Sequence, residues 1–162
     1  MLAGCGGGAP AGPGNSTNQT AAVPVAAPSH APVRGLVLDR ADLIPPAEEA
    51  ALAQRLSAGA ARSGQALVVA TLPSLQGHPM DAVVEDLGNR LGLHDGVMLV
   101  VALKERQVRI AIGQGALKLL SNDEARRIVT EDMRPDLHAN RYDKGILKGA
   151  DKILSQLSET KA

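Results

Sequence analysis

Two short segments, Asp95-Gly96 and Gly113-Gln114-Gly115, are where this sequence places chemistry within reach. Residues 97–103 form an uninterrupted apolar run, Gln107-Val108-Arg109-Ile110-Ala111-Ile112 alternates, and only Lys104-Glu105-Arg106 separates them. So short a connection closes an antiparallel hairpin, because a parallel pair needs a long crossover. The start of the first strand then lies beside the end of the second, which brings Asp95 next to the Gly-x-Gly turn. A carboxylate facing the backbone of a glycine-rich turn offers the oxygen ligands that Ca²⁺ takes. With no Cys nearby and at most His94, a hard cation is favoured over a soft one. Asp95-Gly96 is equally the dipeptide of a plain turn leading into a strand, and both readings stand.

Other chemistries find less support. His30, His78, His94 and His138 are scattered and form no ligand cluster. No Gly-x-Ser-x-Gly elbow occurs, so a Ser/His/Asp hydrolase has no nucleophile signature. Gly113-x-Gly115 lacks the third glycine and the phosphate-binding context of a nucleotide fingerprint. A lone Cys5 rules out an internal disulfide framework and any CxxC site. Asp123 follows Ser121 at a helix start and reads first as a helix-turn residue.

Composition narrows the function classes further. The chain has 162 residues, enough for one domain, with 17 Lys+Arg balanced by 17 Asp+Glu. It contains no Trp, no Phe and a single Tyr142, which excludes aromatic stacking platforms for bases, and no nucleic-acid partner is expected. The balance is uneven along the chain. Residues 1–33 hold no charged residue, and 19 of those 33 are Ala, Gly or Pro, so they are expected to form a disordered tether rather than a core. The folded domain is expected over 34–162.

The elements that must position Asp95 follow from periodicity. Leu36-Val37-Leu38 reads as a short strand or extended segment. Pro45-Pro46 with Glu48-Glu49 open a helix carrying Leu52 and Leu56, which Gly59 to Gly64 should end. Residues 66–72 are a continuous apolar run, a strand covered on both faces. Met80, Val83, Val84, Leu87 and Leu91 have helical spacing, which implies a right-handed parallel crossover to the strand at Val97. Ser121 and Glu124 form a capping box, and Pro135 should end or kink the helix that follows. Ile146, Leu147, Ala150, Ile153, Leu154 and Leu157 give the cleanest amphipathic stripe, with Tyr142 expected to anchor that helix. The fold class is α/β: a three-layer α/β/α sandwich whose small, mostly parallel sheet has one antiparallel strand.

Several stretches together resemble the TPM domain family, which includes bacterial envelope proteins, thylakoid-lumen repair proteins and an animal receptor accessory protein. They are residues 38–44 (Leu38-Asp39-Arg40-Ala41-Asp42-Leu43-Ile44), the strand ending in Leu72 with Pro73 to Gly77, and Asp95 to Ala102. Val108 to Gly115 and Tyr142-x-x-Gly145-Ile146-x-x-Gly149 complete the set. The resemblance implies that Asp39 joins Asp95, Gly113 and Gly115 in one calcium site. It also implies either an accessory role toward a partner protein or the weak metal-dependent acid phosphatase activity of plant relatives. Asp39 and Asp42 are otherwise ordinary turn and cap residues. A phosphatase pocket presents cations to its dianionic substrate, and near the expected site only Arg40 and Lys118 offer one. The expectation is therefore a partner-binding module, with the phosphatase as the alternative.

Leu2-Ala3-Gly4-Cys5 resembles the cleavage box of a bacterial lipoprotein. Such a box follows a basic segment and an apolar run of roughly 7–15 residues, so the reading implies an upstream start or a trimmed signal; otherwise the match is accidental and Cys5 is an exposed free thiol on the leader. On the lipoprotein reading Cys5 would carry the lipid. The chain would be an extracytoplasmic lipoprotein held on a membrane through Cys5, at the periplasm or cell surface, and another envelope protein would be its partner.

Overall fold

The structure is a computed structural model, and it describes residues 35–159. Cys5 and the Ala/Gly/Pro-rich leader lie outside the described residues. The elements run β1 (Leu36–Asp39), α1 (Pro46–Ser63), β2 (Leu67–Leu72), α2 (Met80–Arg90), β3 (Val97–Ala102), β4 (Gln107–Ile112), α3 (Asn122–Arg127), a π-helical stretch (Ile128–Met133), α4 (Arg134–His138) and α5 (Tyr142–Glu159). One 3₁₀ turn, Gln114–Ala116, follows β4.

The four strands lie in the order β1-β2-β3-β4. β1, β2 and β3 are parallel, with Asp39 opposite Thr71 and Thr71 opposite Val101. β4 is antiparallel to β3, pairing Val97 with Ile112 and Ala102 with Gln107. β2 and β3 are apolar throughout because helices cover both faces of the sheet. Leu67, Val69, Val97, Leu99 and Val101 point to one face, where Leu52 and Leu56 of α1 and Ile146, Ile153 and Leu157 of α5 complete the larger core. Val68, Ala70, Met98 and Val100 point to the other, where Val84 of α2 covers them. This is the three-layer α/β/α arrangement, with unequal outer layers.

Three local features depart from simple pattern reading. α1 runs through Gly59 and stops only at Gly64, whose φ is 76°. A Cβ at Gly59 would fall 2.3 Å from Leu154 Cδ2, so the missing side chain admits α5 against α1 rather than breaking the helix. Pro135 does not end its helix either. Pro lacks an N–H and crowds the carbonyl four residues back, and the backbone widens into the π stretch over Ile128–Met133 just before it. Finally, the chain steps the same way across the sheet from β1 to β2 to β3, yet α1 and α2 lie on opposite faces. The two crossovers therefore have opposite hands, and the rule that would make both right-handed is broken at one of them.

Candidate functional site

Asp39 ends β1 and is engaged by its own loop. Its Oδ1 accepts from Leu43 N at 3.1 Å and from Thr71 Oγ1, and its Oδ2 accepts from Ile44 N at 2.8 Å. Thr71 Oγ1 in turn accepts from Ala41 N at 3.2 Å. Burial pushes the Asp39 carboxyl up, but the hydrogen bonds from Thr71 and from the Ile44, Leu43 and Ala41 backbone outweigh it and hold it below its ordinary value of 3.8. The loop is thus folded around the carboxylate, and Asp42 takes a left-handed conformation (φ 49°) within it. Thr71, fully buried at the end of an apolar strand, is explained by the same contact.

Asp95 is somewhere else. It precedes Val97 by two residues, whereas Asp39 is level with Val101 in the register. At about 3.3 Å per residue the two carboxylates stand on the order of 20 Å apart along the strands, at opposite ends of the sheet. The expected set of Asp39, Asp95, Gly113 and Gly115 is therefore not one site. Parallel pairing explains the separation, because it sends the ends of β1, β2 and β3 to the same edge and the start of β3 to the other.

The hairpin does bring Asp95 against the glycine turn. A Cβ on Gly115 would lie 2.9 Å from Asp95 Cβ and 3.0 Å from its Oδ1, and one on Gly113 would lie 2.2 Å from the His94 carbonyl oxygen. Gly113 is there because backbone meets backbone, and Gly115 because it abuts the Asp95 side chain. The oxygen donors gathered are one exposed carboxylate and neighbouring carbonyls, whereas Ca²⁺ takes roughly six to eight oxygens. Among the described residues no three His, Cys, Asp or Glu side chains converge as a metal site. The residues present do not fit a resident calcium ion. The recess at this end, lined by Val84, Gly96, Met98 and Gly113 among others, is only about 170 Å³.

A larger space opens at the edge where the parallel strands end. It is a groove of about 660 Å³, within the usual range of roughly 300–1,000 Å³ for ligand sites. Its floor is apolar, from Val101, Val108, Val129 and Leu137, with Tyr142 at the start of α5. Its charged lining is mostly arginine: Arg106 in the β3–β4 turn, Arg109 on β4 and Arg134 on α4, with Gln107, Thr130 and His138 as further polar groups. Asp81 is the acidic residue of this lining, and it is paired with Arg109 at 2.8 Å. Arg106 and Arg134 make no ion pair among the described residues. Ligands of open α/β sheets bind outside the carboxyl ends of the strands, and the groove occupies that edge.

The α4 wall is held by a polar clamp. Asp136 is buried, accepts from Lys148 Nζ at 2.6 Å and from Arg141 Nη2 at 2.6 Å, and so ties α4 to α5. The lysine and arginine hold its carboxyl below the ordinary 3.8.

Sequence reasoning missed this groove. Its signal was present in the spacing of Thr130, Arg134 and His138, which recur every four residues and line one wall. Arg40 and Lys118, the cations expected near the site, do not line it. His94, Asp42 and Asp123 are exposed, and Asp123 lies in the first turn of α3 behind the Ser121–Glu124 capping box.

The sheet order and the layers define a small α/β domain with a groove at the carboxyl edge of its sheet. A family model described as the TPM domain matches residues 37–156, and the chain belongs to that family. Solved structures share the fold. The N-terminal domain of a protein from P. gingivalis is 26% identical, with a TM-score of 0.73, and the match covers 79% of this chain and 84% of that one. The N-terminal domain of the cg2496 protein from Corynebacterium glutamicum is 16% identical (TM-score 0.62, 79% and 82% covered). The BA42 protein from the psychrophilic Bizionia argentinensis is also 16% identical (TM-score 0.63, 75% and 86% covered). No curated protein matches the chain.

Proposed function

We propose that this chain is an accessory module of the bacterial envelope, held on a membrane through a lipidated Cys5, whose TPM domain binds a partner protein rather than turning over a substrate. One observation carries the reading. The groove at the carboxyl edge of the sheet presents unpaired guanidinium groups over an apolar floor, while the two aspartates a metal-dependent phosphatase would need stand at opposite ends of the sheet. Asp39, moreover, spends both carboxylate oxygens on its own loop and on Thr71. Such a groove suits the recognition of charge and shape. Membrane attachment rests on the Leu2-Ala3-Gly4-Cys5 box and the neutral leader behind it.

Phosphate release from phenyl phosphate, with Ca²⁺ or Mg²⁺ supplied, tests the choice. The reading expects no release above background from the full chain. Release that Asp39→Ala or Asp95→Ala abolishes would contradict it and establish the phosphatase.

A further inference from the structure

We infer that an extended acidic peptide segment of the partner seats beside β4 as a fifth strand of the sheet; this rests on the partner-binding reading above and specifies the ligand. The strand order leaves β4 at the sheet edge, with β3 on one side only. Apart from that ladder, Gln107–Ile112 make no backbone hydrogen bond among the described residues. An unpaired edge of this kind takes up an extended chain through main-chain hydrogen bonds.

The space beside the edge is already shaped. The 660 Å³ groove shares Val108, Arg109, Val129 and Thr130 with a second recess of about 370 Å³, which continues along β4 past Ile110 to Asn122 and Arg126. Together they form one trough between the edge strand and the helical run from α3 through the π stretch to α4. From Arg106 to Ile110 a strand rises roughly 3.4 Å per residue, so the trough accommodates an extended segment of about five residues. The π stretch contributes Val129 and Thr130 to both recesses, and so walls the trough over its whole length.

Charge selects the occupant. Arg106, Arg126 and Arg134 line the trough as guanidinium groups unpaired among the described residues, while Arg109 and the acidic lining residue Asp81 neutralise each other. In a chain of zero formal net charge, this concentration of cations along one strand edge matches a segment in which acidic and apolar residues alternate. Apolar side chains would meet Val108, Val129 and Leu137, and carboxylates the guanidinium groups. Charge complementarity of this kind sets specificity and the rate of encounter.

The test titrates the ¹⁵N-labelled full chain with a capped octapeptide alternating glutamate and valine, the same peptide with lysine for glutamate, and one N-methylated at alternate backbone positions. The expected result is amide shifts concentrated at Gln107–Ile112 with the glutamate peptide and loss of binding on N-methylation. The lysine peptide should not bind. Arg106→Glu with Arg134→Glu should weaken binding at least roughly tenfold, the scale of losing a hydrogen bond to a charged group, while Arg90→Glu on α2 should not. Equal binding of the lysine or N-methylated peptide would overturn the inference, as would no binding of the glutamate peptide. Shifts confined to another face would overturn the strand assignment while leaving the partner-binding reading intact. Phosphate release would instead remove that reading and leave the peptide site to stand on the titration.

Discussion

Lys148, on α5, donates a 2.6 Å hydrogen bond to the buried carboxylate of Asp136, on α4, and Arg141 closes on its other oxygen. This contact fixes the wall of the groove, because α4 carries Arg134, Leu137 and His138. Asp136→Ala leaves two cations facing a gap and should lower stability more than Lys148→Ala, which leaves Asp136 its Arg141 partner. The clamp also sets a pH dependence. A carboxyl held below 3.8 in the folded chain takes up its proton more readily when unfolded. The stability it contributes is therefore full above the ordinary carboxylate value and is lost as pH falls through the depressed folded value. Thermal melting of Asp136→Asn should show a shallower acid limb than the parent below roughly pH 5. An identical acid limb would show that the clamp does not contribute.

Asp39 holds a loop. Asp39→Ala strips partners from Leu43 N, Ile44 N and the buried Thr71 hydroxyl and should cost about 1–3 kcal/mol in chemical denaturation. Thr71→Val removes the hydroxyl from the same network and should cost less, because Leu43 and Ile44 keep their acceptor. Both losses should be equal in calcium and in chelator. A loss that appears only with calcium present would identify Asp39 as a ligand.

Much of this fold was legible in the residues. The uninterrupted run at Val97, the alternating Gln107–Ile112 and the three residues between them specified the antiparallel hairpin, and the stripe from Ile146 to Leu157 specified α5. The capping box at Ser121 and Glu124 formed as written. Gly59 was misleading because its role is set by Leu154, a residue distant in sequence. Pro135 marked a real disturbance of the helix, which takes the form of a π widening over Ile128–Met133 rather than a stop. The site was half legible. Strand pairing put Asp95 beside Gly113 and Gly115, but whether Asp39 joined them depended on which ends of β1 and β3 coincide, a matter of parallel register. The groove arises from three segments that meet only in the folded sheet.

The glycine turn gives a graded test. Gly113→Ala drives a Cβ into the His94 carbonyl, which is backbone, and should cost about 1–3 kcal/mol in denaturation, as overpacking does. Gly115→Ala brings its Cβ 2.9 Å from Asp95 Cβ, a longer approach than the 2.2 Å of Gly113 to the His94 carbonyl, and should cost less. The reverse order would mean that the chain at Asp95 yields less than the chain at His94.

Membrane attachment is expected to depend on Cys5. Expressed in a bacterium behind a lipoprotein signal sequence, the chain should sediment with membranes, and Cys5→Ser should move it to the soluble fraction. Two acyl chains anchor firmly where one does not. An unchanged distribution would remove the lipidation reading.

The partner-binding role at the carboxyl-edge groove is tested most directly by site-specific photocrosslinking in the intact envelope. A photoreactive residue at position 130, in the wall of the trough, should yield one discrete adduct with another envelope protein. Arg106→Glu with Arg134→Glu should abolish that adduct, and the same residue at position 90, on α2, should yield none. Adducts from position 90 but not from 130, or an adduct at 130 that survives both charge reversals, would contradict the account.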